Sequence, residues 1–246
     1  MILLSQWYTF PEVIHMQTES TAEQLKKEFQ MTLSKLGHEI RNPIALIVSE
    51  LQLMASSHPE ICTWQGWDSL TDNLDYVREL LNQISDFSHA GTISPIPTNP
   101  TDFLRQVLSN EKHTLDYLGI TLESHLEEIS SPVFIDRIKM RQALLNLIRN
   151  SCEAIDHPKG RITACLRKND NGICISISDN GCGMTQDQLQ HVWTPFVTYK
   201  PEGTGLGLAV VQEIVLAHHG HITLTSTPGQ GSAFHIFLDD TEVLPV

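Results

Sequence analysis

The chain has few basic residues, no disulfide-like pattern of cysteines and no long apolar run. Its 16 lysines and arginines stand against 29 acidic residues, which gives a net charge of −13. That balance argues against a nucleic-acid-binding face, which needs clustered basic residues, and against adhesion to anionic membranes. No apolar run reaches the roughly 18 residues that span a bilayer, and residues 1–16 lack the basic start of a signal peptide. We therefore expect no nucleic-acid partner and no direct membrane insertion by this chain.

The five cysteines form no CxxC pair, and several lie in apolar runs where a reduced thiol packs as a small hydrophobic group. Reduced thiols are typical of the cytoplasm. A length of 246 residues allows one or two domains, each with a substantial core. The chain is either a soluble protein or the cytoplasmic part of a longer membrane sensor, and both interpretations stay open. The cysteines are Cys62, Cys152, Cys165, Cys174 and Cys182.

Apolar residues at helical spacing predict two long helices in the first part of the chain, over residues 21–56 and about 64–90, joined by a turn at 57–62. Pro43 should kink the first helix, because proline lacks an N–H and its ring clashes with the preceding turn. The second helix has apolar residues in heptad steps. A single hairpin would leave its apolar stripe exposed, so we predict a homodimer in which two hairpins form a four-helix bundle.

Residues 92–100 are rich in proline and predict a linker, after which the pattern changes. Helices and short strands then alternate in a way that predicts an α/β sandwich, with helices on one side of a mixed sheet. The predicted domains are an N-terminal arm (1–18), a helical hairpin (19–91), the linker (92–100), the α/β domain (101–240) and a tail (241–246). The predicted helices cover residues 101–117, opened by Thr101 and Asp102, 136–155 and 206–219; the predicted strands cover 120–123, 133–135, 161–167, 173–178, 221–226 and 232–238.

The first candidate site lies on the first predicted helix, where His38 is followed directly by Glu39. If Leu36 and Ile40 hold the buried face of that helix, the imidazole faces outward. An exposed histidine beside a carboxylate can act as a nucleophile with its own base. On these two residues alone, a histidine without any chemical role is the commoner outcome.

A second group of candidates lies in the C-terminal half. Asn146 and Asn150 are four residues apart, on one face of a predicted helix. Mg²⁺ prefers hard oxygen ligands and usually takes one or two protein groups with phosphate oxygens, so Asn150 is a candidate ligand and Asn146 would lie beside it. Glu153 is a weaker candidate. The alternative is that the amides of Asn146 and Asn150 are simply solvated on an amphipathic helix and bind no ligand.

Two glycine-rich stretches complete that group. Asp179 ends a predicted strand, and Gly181 and Gly183 follow it, so the backbone can turn sharply and approach a ligand. Residues 203–207 precede a helix, whose N-terminus favours phosphate. Each stretch alone could be an ordinary turn, and no βαβ unit surrounds the second one.

Taken together and in this order, the motifs resemble those of bacterial two-component sensor histidine kinases. Residues 38–43 resemble the phospho-acceptor box of that family, and residues 146–154, 179–184, 195–200 and 203–208 resemble its nucleotide-binding boxes. The likeness spans residues 20–238. It implies the histidine kinase (GHKL) ATP-binding fold, Mg-ATP as cofactor, phosphorylation of His38, and transfer of the phosphoryl group to an aspartate of a response regulator receiver domain.

The resemblance also implies roles for single residues. Asp179 would contact adenine, Asn42 would position water for a phosphatase reaction on the regulator, and residues 184–202 would form a mobile ATP lid. Tyr199 stands where many relatives have threonine, which leaves the fine contacts of that lid open. The remaining nucleotide contacts implied in and after the lid are Thr198, Lys200, Gly203, Thr204, Gly205, Leu206 and Gly207.

Three alternatives accompany this interpretation. The chain could be a dimeric scaffold or phosphatase that binds nucleotide but scarcely phosphorylates itself. A hydrolytic ATPase is disfavoured, because related ATPases carry a water-activating glutamate where this chain has Asn146. His218, His219 and His221 could suggest a metal site, although an imidazolium near a helix C-terminus is the more common explanation.

Overall fold

The computed structural model describes residues 10–200 and 203–239, with side chains described from residue 24 onward. The chain divides into two compact units between His89 and Ala90. Within the first unit, helix α1 covers Phe10–Ser57, a short 3-10 helix covers Pro59–Thr63, and helix α2 covers Trp67–Ser88. Residues 10–18, assigned to the arm from sequence, are thus helical, while residues 1–9 and the tail at 241–246 lie outside the described residues.

Helices α1 and α2 form a hairpin in which the helical assignment of α1 runs through Pro43 without a break. At the contact between the helices, Gly37 is buried against Ile84. One turn further along, the Arg41 guanidinium donates a hydrogen bond of 3.0 Å to the Leu81 carbonyl. The hairpin therefore pairs through the face that carries Gly37 and Arg41.

A second apolar face of the hairpin is exposed. Leu36 and Ile40 are 48% and 45% exposed, as expected of the apolar stripe that a single hairpin leaves uncovered, so their burial stays a prediction about the dimer. A helix with two apolar stripes does not reveal from sequence which stripe its hairpin partner covers. The large apolar side chains exposed on α1 include Leu25, Phe29, Leu36, Ile40, Ile47 and Met54.

The second unit is built on a five-stranded sheet with the order β2-β4-β5-β7-β6. Strand β2 is parallel to β4, and the other neighbours are antiparallel. A separate pair joins β1 to β3. The elements of this unit, in chain order, are β1 (Ile96–Thr98), α3 (Pro100–Tyr117), β2 (Thr121–Leu126), β3 (Val133–Ile135), α4 (Arg137–Ala154), β4 (Arg161–Asn169), β5 (Gly172–Asp179), α5 (Gln186–His191), α6 (Gly207–Ala217), β6 (His221–Thr227) and β7 (Gly231–Asp239).

The core of this unit lies between the helices and one face of the sheet. Alternate residues of β4, β5 and β7 are fully buried, as a strand with one covered face requires. Helices α4 and α6 pack together over this face and bury residues such as Leu144, Leu147 and Ile214. The predicted helical region followed by an α/β domain is therefore confirmed.

Two features of this unit differ from the prediction. Residues 96–98, assigned to the linker, form β1 and pair with β3. Helix α3 is capped by the Asn99 side chain, which accepts a hydrogen bond from the Asp102 N–H at 2.9 Å. The prediction that Thr101 and Asp102 open this helix is wrong, because Pro100, which needs no N–H partner, takes the first turn. Thr101 is instead buried, and its hydroxyl binds the Glu127 carbonyl and the Ile129 N–H.

No helix among the described residues is both long enough and apolar enough to cross a bilayer.

Candidate nucleotide and phospho-acceptor sites

The acceptor candidate His38 is exposed on α1, together with Glu39 and Asn42. Its neighbours Gly37 and Arg41 fasten this part of α1 to α2, so the imidazole projects away from the hairpin contact. The predicted exposure of His38 is therefore found, although for a different reason from the one predicted. Adjacent residues on a helix point in directions about 100° apart, so Glu39 reaches the His38 ring only if both side chains rotate towards each other.

Asn146 and Asn150 lie on α4, which begins at the N-cap residue Asp136. Asp136 Oδ1 accepts hydrogen bonds from the backbone N–H groups of Ile138 and Lys139. The Asn146 amide donates a hydrogen bond of 3.4 Å to the Gly207 carbonyl at the start of α6. A Cβ added to Gly207 would lie 4.0 Å from Asn150 Nδ2. The fold thus brings both asparagines to the start of α6, as the motif order implies.

Asp179 ends β5, and hydrogen bonds hold both of its carboxylate oxygens. Oδ1 accepts from the backbone N–H groups of Gly181 at 2.9 Å and Ser232 at 3.2 Å. Oδ2 accepts from the Ser151 hydroxyl at 3.2 Å. Ser151 follows Asn150 directly on α4, so the carboxylate is held beside that helix. Sequence reasoning assigned no role to Ser151, although it lies within the 146–154 motif, or to Ser232, which lies outside every motif.

The backbone after Asp179 turns in a way that only glycine allows at two points. Gly183 has φ of 66°, and a Cβ there would overlap the Thr227 carbonyl. A Cβ at Gly181 would overlap the Ala154 carbonyl, which also accepts a hydrogen bond from the Cys182 N–H at 2.9 Å. This loop is therefore packed closely against the end of α4, and the Cys182 thiol between the two glycines is exposed.

The second glycine-rich stretch leads directly into α6. Gly205 has φ of 68°, and its carbonyl accepts a hydrogen bond from the Phe196 N–H at 3.1 Å. Phe196 itself has φ of 65°, which is uncommon for a residue with a side chain. Leu206 precedes α6, and no side chain caps its N-terminus. Such a helix start offers backbone N–H groups and the positive end of the helix dipole to an anion.

Lys200 and Thr198 lie before the glycine stretch. The Thr198 hydroxyl accepts a hydrogen bond from the Lys200 N–H at 3.1 Å. The Lys200 ammonium forms a salt bridge with Glu153 on α4, one turn beyond Asn150. Arg149 is 3.9 Å from the same carboxylate and 3.5 Å from the Asn146 amide oxygen. Glu153 is therefore a counter-ion for two basic residues beside the asparagines.

The residues present fit a Mg-nucleotide. Among the described residues, no group of three His, Cys, Asp or Glu side chains could hold a metal alone. Mg²⁺ bound through one amide oxygen and phosphate oxygens needs no such group. The side-chain amides of Asn146 and Asn150 lie next to the start of α6, where no side chain caps the helix. The chemistry of these donors matches the ATP and Mg²⁺ that the motifs imply.

His218 has a structural position in the core. Its Nδ1 donates to the Ile214 carbonyl at 2.7 Å, and its Nε2 accepts from the Asp136 N–H at 2.9 Å. Burial lowers the pKa of His218, although the bond to Ile214 and the charge of Asp136 act in the opposite direction. The expectation of an imidazolium at this helix end is therefore wrong for His218. The ring is neutral because Nε2 must carry a lone pair to accept from Asp136.

A cavity of about 500 Å³ lies beyond the C-terminal end of α4. It contacts none of the predicted nucleotide residues. Burial raises the pKa of the Cys152 thiol in its wall, with the charges of Glu153 and Glu111 adding to the effect. The residues that line the cavity are Leu118, Gly119, Ile120, Cys152, Ile155, Asp156, His157 and Pro158.

Comparison with protein families finds a match for the C-terminal half of the chain. Residues 135–242 match the family of histidine kinase-, DNA gyrase B- and HSP90-like ATPases. This segment therefore resembles that ATPase family. Its bounds enclose every predicted nucleotide contact, from Asn146 to Gly207.

Comparison with individual proteins extends the likeness into the helical hairpin. The chain is 32% identical over 222 residues to sporulation kinase B of Bacillus subtilis (strain 168), a match that covers 83% of this chain and 48% of that kinase. The chain thus spans about half the length of the curated relative it matches. The predicted resemblance to two-component sensor histidine kinases is confirmed.

Two solved structures share the fold. Full-length ShkA in complex with AMPPNP matches with a TM-score of 0.72 and 24% identity, over 87% of this chain and 47% of that one. Histidine kinase ThkA in complex with the response regulator protein TrrA matches with a TM-score of 0.63 and 21% identity, over 96% of this chain and 68% of that one. All the predicted site residues other than His38, Glu39 and Asn42 lie in the α/β domain.

Proposed function

We propose that this chain is an ATP-dependent, autophosphorylating protein-histidine kinase of two-component signalling. The observation that carries the proposal is the exposed His38 imidazole on a helical hairpin, in the same chain as an ATPase domain of the histidine kinase-like family. The proposed reaction transfers the γ-phosphoryl group of ATP to His38 and then to an aspartate on a response regulator receiver domain. The similarity to sporulation kinase B, and to ThkA in its complex with a response regulator, supports this proposal.

In the nucleotide site, Asp179 is proposed to accept a hydrogen bond from the adenine amino group. Its carboxylate is suited to this role because Ser151, Gly181 and Ser232 fix its orientation before any ligand binds. Gly181 and Gly183 would let the base approach the backbone closely. These assignments rest on the motif and on the position of Asp179 at the end of β5.

At the phosphate end, Asn150 is the proposed Mg²⁺ ligand and Asn146 its neighbour. When bound, Mg²⁺ neutralises charge on the phosphates, which is most of what phosphoryl transfer requires besides alignment. Thr198 and Lys200 would contact the terminal phosphate. The remaining proposed phosphate contacts are Gly203, Thr204, Gly205, Leu206 and Gly207, around the start of α6.

In the transfer step, a ring nitrogen of His38 forms a bond to the γ-phosphorus while the bond between that phosphorus and the ADP oxygen breaks. Glu39 is proposed to accept the proton that the ring loses. Asn42 is proposed to position a water molecule for a separate phosphatase reaction, in which the phosphorylated regulator is hydrolysed and free phosphate is released. Both side chains are exposed on α1 and accessible to a partner.

We also propose that the chain is a homodimer in which two hairpins form a four-helix bundle. The exposed apolar stripe of α1 supports this, because single soluble chains rarely leave so continuous an apolar face in water. A two-fold axis would place the same stripe of each copy in the shared interior. We propose the cytoplasm as the compartment, since the five cysteines are unpaired and ATP is available there.

The test is incubation of the full chain with Mg²⁺ and γ-labelled ATP. We expect the wild type to become labelled and His38→Ala to remain at background while it still binds a fluorescent ATP analogue. His89→Ala is the matched control, because His89 is exposed at the end of α2 and should label normally. Labelling of His38→Ala would refute the acceptor assignment. Rapid release of free phosphate without labelling would instead favour a hydrolytic ATPase.

A further inference from the structure

Glu153 makes the salt bridge with Lys200 from a position that places it next to the proposed metal ligand. It is three residues after Asn150, so the two side chains share one face of α4. The Lys200 ammonium and the Arg149 guanidinium both lie against its carboxylate, and Arg149 also reaches the Asn146 amide oxygen. This ionic cluster therefore contacts one of the two asparagines proposed for the Mg-phosphate site and adjoins the other.

The Lys200 ammonium has two possible anionic partners, the Glu153 carboxylate and the terminal phosphate of a bound nucleotide. The Lys200 backbone is fastened independently of its side chain, by bonds from its N–H to Thr198 and from the Gly203 N–H to its carbonyl. The side chain can exchange partners while the backbone stays in place. A terminal phosphate carries more charge than a carboxylate and competes well for a lysine.

We propose that Glu153 is a counter-ion that holds Lys200 on α4 in the nucleotide-free protein and yields it to the γ-phosphate when Mg-ATP binds. This inference rests on the proposed function, since it takes Lys200 as a γ-phosphate contact. It makes Glu153 a positioning residue, which acts through Lys200, and assigns it no contact with metal or substrate. The competition should therefore weaken the binding of nucleotides that have a γ-phosphate, because only these compete with Glu153 for Lys200, and should leave the binding of ADP unchanged.

The size of the effect follows from the exposure of the pair. Lys200 and Glu153 side chains are 42% and 45% exposed, so solvent screens their attraction. Exposed pairs of this kind change an equilibrium by about two- to fivefold. Glu153→Gln removes the charge and keeps both the length of the side chain and its helix propensity, so the variant should fold normally.

The experiment measures Mg-ATP and Mg-ADP affinities of the full chain by isothermal titration. We expect Glu153→Gln to tighten Mg-ATP binding about two- to fivefold and to leave Mg-ADP binding nearly unchanged. In a Lys200→Met background, the same substitution should no longer tighten Mg-ATP binding. Asp156→Asn is the matched control, because it removes one negative charge just beyond the end of α4 and should alter neither affinity.

A second readout follows the nucleotide-free protein. The NMR chemical shift of the Lys200 side-chain ammonium should differ between Glu153→Gln and the wild type, and Glu153→Asp should restore part of the wild-type shift. A pair that is only structural would give the change in chemical shift without the change in Mg-ATP affinity, and would overturn the proposal.

The outcomes separate this inference from the proposed function. If the wild type does not bind Mg-ATP, the proposed function fails. If the wild type binds Mg-ATP and Glu153→Gln binds it equally or more weakly, the counter-ion role alone is refuted. If Glu153→Gln tightens Mg-ATP and Mg-ADP alike, or still does so without Lys200, simple charge repulsion accounts for the result and the exchange of partners is refuted.

Discussion

The hairpin and the α/β domain bury their apolar residues in different ways. In the α/β domain, β4, β5 and β7 present alternate residues to α4 and α6, and a continuous core results. In the described part of the hairpin, the buried apolar side chains are Ile61, Leu81 and Phe87, and much of the apolar surface of α1 is exposed. Hydrophobic burial stabilises a fold only where the surface is removed from water. The domain thus covers its own apolar residues, whereas the described part of the hairpin leaves an apolar face exposed.

The largest expected effect compares one leucine from each region. Leu144 on α4 is fully buried, so Leu144→Ala should lower the free energy of unfolding of the domain by about 2–5 kcal/mol, through lost burial and the cavity it leaves. Leu53 on α1 is 68% exposed, and Leu53→Ala should change the stability by no more than about 0.5 kcal/mol. Urea unfolding of both variants measures the difference. Equal losses would mean that the two regions do not differ as described.

The next effect concerns the exposed stripe of the hairpin. Ile47→Asp would place a carboxylate in the proposed dimer interior, and we expect it to weaken association by about a hundredfold, roughly 2.7 kcal/mol. Ser49→Asp adds the same charge on α1 outside that stripe and serves as the control. Sedimentation at micromolar concentration measures both. A wild type that sediments as a monomer would contradict the dimer proposal.

The smallest effect is a dependence of domain stability on pH. The folded-state pKa of His218 is depressed, so the unfolded state takes up a proton first as the pH falls below its ordinary value of 6.5. The stabilisation by neutral His218 is therefore complete above pH 6.5 and is lost as the pH falls towards the lower folded-state pKa. Within this range, the free energy of unfolding changes by at most about 1.4 kcal/mol per pH unit because of His218.

Urea unfolding between pH 5 and pH 8, a range chosen around the ordinary histidine pKa, tests this dependence. His218→Gln should flatten the profile relative to the wild type, whereas His219→Gln, at the exposed neighbouring position, should not. Identical profiles for the wild type and His218→Gln would show that the buried ring is not responsible.

Sequence patterns predicted the regular elements well where the periodicity was long. The helices at α2, α4 and α6 and the strands β4 to β7 lie close to their predicted positions, because each has one covered face and therefore a clear apolar period. Strand β1 was assigned to the linker because it is three residues long and contains Pro97. Helix α5 was missed, although Thr185 and Gln188 form a capping box that the sequence displays.

In the candidate site, local motifs likewise predicted some residues and failed to predict others. Motifs indicated Asn146, Asn150, Asp179 and the glycines, since each short stretch carries its own chemistry. They did not indicate the contact of Ser232 with Asp179 or the contact of Glu153 with Lys200. The partners in these two contacts are 53 and 47 residues apart in the chain. The neutral state of His218 depends on Asp136, 82 residues away. Contacts of this kind are set by tertiary packing, and a local pattern contains no information about them.

The place of β7 in the sheet has a consequence for the synthesis of this chain. Strand β7, the last strand of the described residues, is an interior one, paired with β5 on one side and β6 on the other. A product that stops before Gly231 would leave both of those strands with an unpaired edge, which promotes aggregation. The hairpin is made of local contacts and can form early, whereas the five-stranded sheet of the α/β domain is complete only after β7 has been synthesised.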